Sequence, residues 1–176
     1  MRRKAEAFDN EAATDEESLK SWVIGAVQAT NNALLEYNKN EAEGYCTVTL
    51  LSFKDDLYVL ANLGDSLAYL LSCDDMIEIS RRHTMAMLKR LLWQTPTEAE
   101  EHMLRHYHGE NNQSNSLTLY MKDGKIDIDG LFLVCSDGLD DGTPPIELAR
   151  ILRNVLSADE AVTKASEKTV RTTAPL

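Results

Sequence analysis

The chain has 176 residues, of which 43% are hydrophobic; 18 are basic and 29 acidic, for a formal net charge of −11. That is enough apolar chain to bury a core without disulfide or metal staples. The acidic balance argues against nucleic acid or an anionic membrane as a partner, because both are held by basic patches that displace counterions, and it favours solubility and divalent cations.

Residues 1–18 are polar and mixed in charge, a lead-in with almost no large apolar side chains. Thr14 and Glu17 resemble a capping box, and Leu19, Trp22, Val23, Ala26, Val27, Thr30, Ala33, Leu34 and Tyr37 then recur at helical spacing, which predicts a helix over 15–38. Beyond Gly44 the period becomes that of strands. Residues 46–53 and 57–62 flank a short polar turn at Lys54-Asp55-Asp56 and predict a hairpin. Leu67–Leu71 and Met76–Ile79 continue it as a meander of three or four antiparallel strands, interrupted at Leu63-Gly64-Asp65-Ser66.

Met85 to Trp93 predicts a short helix stopped by Pro96, and Thr97-Glu98-Ala99-Glu100-Glu101 a capped helix running to about Tyr107. Strands are expected at 117–121 and 126–128, on either side of a Lys122-Asp123-Gly124-Lys125 turn. The apolar run Leu131–Cys135 then reads as a strand buried on both faces, delivering Asp137 to a Gly-containing turn. Pro144-Pro145 opens a helix to about Val155, and Ser157 to Glu160 caps a last one to about Val170. Residues 19–170 thus form the expected domain, and 171–176 a tail.

Of the three cysteines, Cys46, Cys73 and Cys135, two lie in apolar runs and read as buried reduced thiols. No run reaches the roughly 18 apolar residues of a membrane span, and acidic residues follow the basic Met1-Arg2-Arg3-Lys4 where a signal peptide would be apolar. A cytoplasmic protein with no membrane partner is expected.

Several groups suggest chemistry. His102 and His106 at i, i+4 spacing, with His108, Glu98 and Glu101 near, have zinc-ligand character, while a solvated helix face explains them equally. His83 beside two arginines reads as a proton donor or as a hydrogen-bonded structural histidine. Asp65 in Gly64-Asp65-Ser66 reads mainly as a backbone-turning residue. Ser136-Asp137-Gly138 is an ordinary strand end or a rigid oxygen ligand. Asp137, Asp140 and Asp141 in one short loop repel one another unless a cation or water separates them. That points to a magnesium or manganese site, of the kind that activates water for phosphoester hydrolysis.

The order of four segments, Gly44-Tyr45-Cys46-Thr47, Asn62-Leu63-Gly64-Asp65-Ser66, Ile79-Ser80-Arg81-Arg82-His83-Thr84 and Phe132 through Asp141, resembles the metal-dependent type 2C (PPM-type) protein serine/threonine phosphatases. The resemblance implies an α+β fold: an antiparallel β-sandwich flanked by helices in four layers, αββα, with manganese or magnesium ions at one end of the sandwich. It implies hydrolysis of phosphoserine and phosphothreonine by metal-activated water. Asp137 matches a metal-binding aspartate of the family, with Asp141 as its helper, and Gly64-Asp65-Ser66 matches an architectural motif whose usual following basic residue is Leu67 here. Met85 to Ser116 occupies the place of the family's variable flap.

The family's early strand with its phosphate-binding arginine, its Asp-Gly-His-Gly-Gly loop and its late Arg-Asp-Asn segment have no counterpart, so the fold is expected to lack its first and last strands. Asp9, Asp15 and Asp140 are the candidates for making up the ligand set. From the ligand count, this chain alone is expected to hydrolyse phosphoesters weakly or not at all. The alternative is a pseudophosphatase or a truncated fragment that binds a phosphoprotein or other protein partner, with open sheet edges favouring self-association.

Overall fold

The computed structural model describes residues 16–40, 43–71, 76–109, 118–126, 130–154 and 158–173. Helix α1, Glu16–Asn40, begins with the first described residue and runs two residues beyond the end that the spacing predicts. Its Leu19, Val23 and Val27 sit at i, i+4 intervals and pack on Val59 and Ala61 of the sheet beneath. Lys20 fastens the helix by its ammonium, which lies 2.6 Å from Glu16 and 3.0 Å from Asp123.

Strands β1 (Val48–Lys54) and β2 (Leu57–Leu63) form the expected hairpin, in register from Lys54 opposite Leu57 to Val48 opposite Leu63. β5 (Tyr120–Lys125) pairs antiparallel on the other side of β2. The meander does not continue into β3 (Leu67–Leu71), which joins a second antiparallel sheet between β4 (Met76–Glu78) and β6 (Leu131–Cys135). The chain changes sheets at Gly64, whose φ of +106° an L side chain rarely adopts. Asn62, fully buried, holds this corner by donating to the Ser66 carbonyl at 2.9 Å and to the Thr49 hydroxyl at 3.0 Å.

The two sheets face each other through Tyr58, Leu60, Ala68 and Ile79. Helices α5 (Pro145–Arg153) and α6 (Ala158–Thr173) cover the outside of the second sheet, with Ala149, Leu152 and Ala161 against Leu71. This is the four-layer αββα sandwich expected from the resemblance, with three strands per sheet among the described residues. None of the described helices is long and apolar enough to cross a membrane.

Four local expectations are corrected. The strand buried on both faces is β2, whereas β6 pairs with β3 alone among the described residues and leaves Leu131 and Val134 exposed; an apolar run does not tell a central strand from an edge. Lys122-Asp123-Gly124-Lys125 lies inside β5, because the Tyr58 ring crosses Gly124 so closely that a Cβ there would fall 2.8 Å from Cε1. Helix α3 spans only Glu98–Glu101. Past it the backbone pairs with neighbours instead: Met85 N donates to Met103 O at 2.9 Å, Arg105 N to His83 O at 2.7 Å, and His108 N to Cys46 O at 2.8 Å. Cys46, at the start of that pairing, is exposed. Asp9, Asp15, Cys73, Leu117 and residues 127–128 lie outside the described residues.

Helix α2 (Met85–Leu91) is capped by the Thr84 hydroxyl, which accepts from Met87 N at 3.3 Å. It stops before Pro96 is reached. Trp93 N donates to Arg90 O at 3.1 Å and Gln94 N to Lys89 O at 2.9 Å, the paired bonds of a Schellman motif, with Trp93 at φ 58° in the place glycine usually takes.

Candidate metal centre

β6 ends at Cys135, and Ser136 leads into the short helix α4, Asp137–Gly142, so Ser136-Asp137-Gly138 opens a helix and does not form a turn. Asp137 Oδ1 accepts from the N–H of Gly138 at 2.8 Å. Asp137 and Asp141 are four residues apart and share one face of the helix. His102, the C-cap residue of α3, meets them from the other side, its Nδ1 3.7 Å from Asp141 Oδ2. One donor atom from each of His102, Asp137 and Asp141 lies within 4.8 Å of the others, close enough to converge on one ion.

Asp140 points elsewhere. It accepts from the Tyr69 hydroxyl at 2.6 Å and forms an ion pair with Arg82, so the repulsion expected among three neighbouring carboxylates is resolved by a guanidinium for one of them. Burial, then the bond to Asp140, holds the Tyr69 phenol well above its usual range. Burial lowers the Arg82 guanidinium, and Asp140, Glu78 and Tyr69 together outweigh it and keep it raised.

Asp65 is nearer the centre than an architectural role implies. Its carboxyl is raised, first by burial and then by the charge of Asp137, with Arg82 and His102 acting in the opposite direction. The corner at Gly64 thus leaves Asp65 within the electrostatic reach of Asp137, Arg82 and His102, outside the group of three converging donors. Cys135, just before the site, is half-buried where the sequence predicts a buried thiol, and its thiol is pushed up to about 11, mainly by that burial.

The histidine cluster read from i, i+4 spacing does not form, because α3 ends at Glu101. His102 goes to the carboxylates, and His106 packs edge-on against His83 with ring centres 5.7 Å apart. His108 is buried beside Cys46, its Nε2 without a hydrogen-bond partner among the described residues. Glu101 pairs with Arg90. His83 Nδ1 accepts from Gly64 N at 3.1 Å, which makes it a support of the corner. The sequence signal for His102 was present but attached to the wrong partners. For Asp65 it lay in a polar residue between two buried strands.

No family model matches the chain. The serine/threonine phosphatase Stp of Listeria innocua is 27% identical over 167 aligned residues, covering 85% of this chain and 63% of the relative. The Listeria monocytogenes protein of the same name is 26% identical with the same coverage. The chain thus spans about 63% of the length of these relatives. Among solved structures, Stp1 from Staphylococcus aureus superposes with a TM-score of 0.83 at 19% identity, over 94% of this chain and 67% of that one. The catalytic domain of the serine/threonine phosphatase PstP, in complex with two manganese ions, gives 0.77 at 21% identity, over 93% and 69%. In sequence, then, the chain is similar to serine/threonine phosphatases named Stp, and it shares the fold of solved serine/threonine phosphatases.

Proposed function

We propose that this chain is a phosphatase-like domain acting on phosphoserine or phosphothreonine in proteins, with manganese or magnesium held by Asp137 and Asp141 and, from outside the expected set, by His102. The observation that carries the reading is the convergence of these three donors at the end of β6. Two carboxylates and one imidazole suit manganese at least as well as magnesium. Such an ion, when bound, would supply a water activated at neutral pH and positive charge against the negative charge developing on the phosphoryl oxygens.

The chain's own residues do the rest. α4 presents Asp137 and Asp141 on one face, and Asp65 adds negative potential behind Asp137 that favours a cation. The Arg82–Asp140 pair fastens α4 to the centre of β3 through Tyr69, so that Asp140 does not compete for the ion. Three side-chain donors are fewer than the about six ligands of a hard cation, which supports weak turnover by this chain alone. The domain is taken as residues 19–170, working in the cytoplasm.

The deciding experiment is hydrolysis of a phosphothreonine peptide with and without manganese, by the chain and by Asp137→Ala and His102→Ala variants. Manganese-dependent turnover lost in Asp137→Ala and reduced in His102→Ala is the expected result. No turnover by a folded chain saturated with manganese overturns the catalytic reading and leaves a binding module.

A further inference from the structure

In a chain of net charge −11, one cavity of about 230 Å³ has no carboxylate among the described residues of its wall. It is lined by Arg81, Arg82, His83, Arg105 and His106 among others, over a floor that includes Met87, Leu88 and Leu119. Arg82 is committed to Asp140. Arg81 lies over the Tyr120 ring, 5.1 Å from its centre, and makes no ion pair among the described residues, and neither does Arg105. Concentrating like charges without counterions costs energy unless an anion shares the site. The imidazole of His83 registers this field, being lowered to about 4 by burial first and then by His106, Arg105 and Arg81.

We infer that this cavity is a second anion subsite, in which the guanidinium groups of Arg81 and Arg105 take an oxyanion carried by a protein segment, while Met87, Leu88 and Leu119 take an adjoining apolar side chain. Its position makes it a neighbour of the carboxylate cluster: Arg82 lines the cavity and pairs with Asp140, the residue next to Asp141. The peptide's role rests on the proposed function, and assigns to that function a preference for segments bearing a further phosphate or acidic residue near the reacting one. Guanidinium forks suit both oxyanions, phosphate with the greater charge.

The test is free of metal and turnover, so that it stands or falls apart from the catalytic reading. Inorganic phosphate is titrated by calorimetry into the full chain in the presence of a chelator, and the same is done with Arg81→Gln/Arg105→Gln and with Asp137→Asn, each first shown to unfold cooperatively. Saturable binding that weakens at least about tenfold in the double glutamine variant and changes less than about twofold in Asp137→Asn is the expected result. An Arg81→Lys/Arg105→Lys variant, which keeps the charge, should recover part of the loss. Peptides bearing phosphoserine or glutamate at the second position then separate the two sources of the oxyanion, and binding of either supports the subsite. No phosphate binding by the wild-type chain, or binding unmoved by the arginine changes, overturns it.

Discussion

Arg82 and Asp140, 58 residues apart in sequence, are joined in an ion pair that also takes the hydroxyl of Tyr69, itself 2% exposed. The contact ties three elements together: the segment after β4, the centre of β3, and α4. Because Asp140 is 13% exposed, removing its guanidinium leaves a carboxylate with one partner in a partly dry setting. Arg82→Met should therefore cost about 1–3 kcal/mol in urea unfolding, the value being held down by remaining solvent access. The Arg82→Met/Asp140→Asn double variant should lose less than the sum of the single changes. Strict additivity would show that the pair contributes nothing as a pair.

Gly64→Ala tests the corner where the chain changes sheets. The added Cβ would lie 2.3 Å from Thr47 Cγ2, and Thr47 shares a hydrogen bond of 2.8 Å with Ser66. Clash and positive φ together should cost roughly 2–3 kcal/mol, read as a lowered melting temperature. Because Asp65 follows directly, the same variant should bind manganese more weakly.

His83 sets a pH dependence. Its imidazole is neutral in the fold down to about 4, against 6.5 in an unfolded chain, so between these values the unfolded state binds the extra proton. Stability from this group is present above pH 6.5 and is lost as pH falls toward 4. Asp65 and Glu78, both raised chiefly by burial, act in the opposite sense. His83→Asn keeps an acceptor for Gly64 N, and urea midpoints measured across this range should fall less steeply in the variant than in the parent. Parallel pH profiles would show that His83 titrates as an ordinary histidine.

Trp93 offers a gain. It is 97% exposed and sits at φ 58° in the Schellman end of α2, where its ring is in solvent and its Cβ is strained. Trp93→Gly should raise stability by about 0.5–1 kcal/mol, net of the greater freedom of the unfolded glycine chain. A loss on denaturant titration would mean that the ring makes contacts which its exposure conceals.

The sequence made some of this plain and concealed the rest for identifiable reasons. Leu19, Val23 and Val27 announced α1, since the period of a helix against one sheet is local information. Ser136-Asp137-Gly138 drew attention because a carboxylate ends an apolar run, and the structure does bring Asp137 and Asp141 together. Lys122-Asp123-Gly124-Lys125 misled because turn chemistry and a glycine that makes room for the Tyr58 ring look alike in one dimension. His102 was assigned to other histidines by a helix that ends at Glu101, its backbone continuation drawn off to His83 and Cys46. Arg82 and Asp140 carry no local signal of each other, as with any ion pair formed only by the fold.

The edge position of β6 has a bearing on how firmly Asp137 is held. β2 is bonded on both sides, whereas β6 is bonded to β3 alone among the described residues. Fraying of that single ladder would release Asp137 and the start of α4 while leaving the first sheet intact. Whatever cation affinity the centre has is therefore coupled to a local opening equilibrium, and an ion that closes on Asp137 and Asp141 also holds the last strand of the sheet in place.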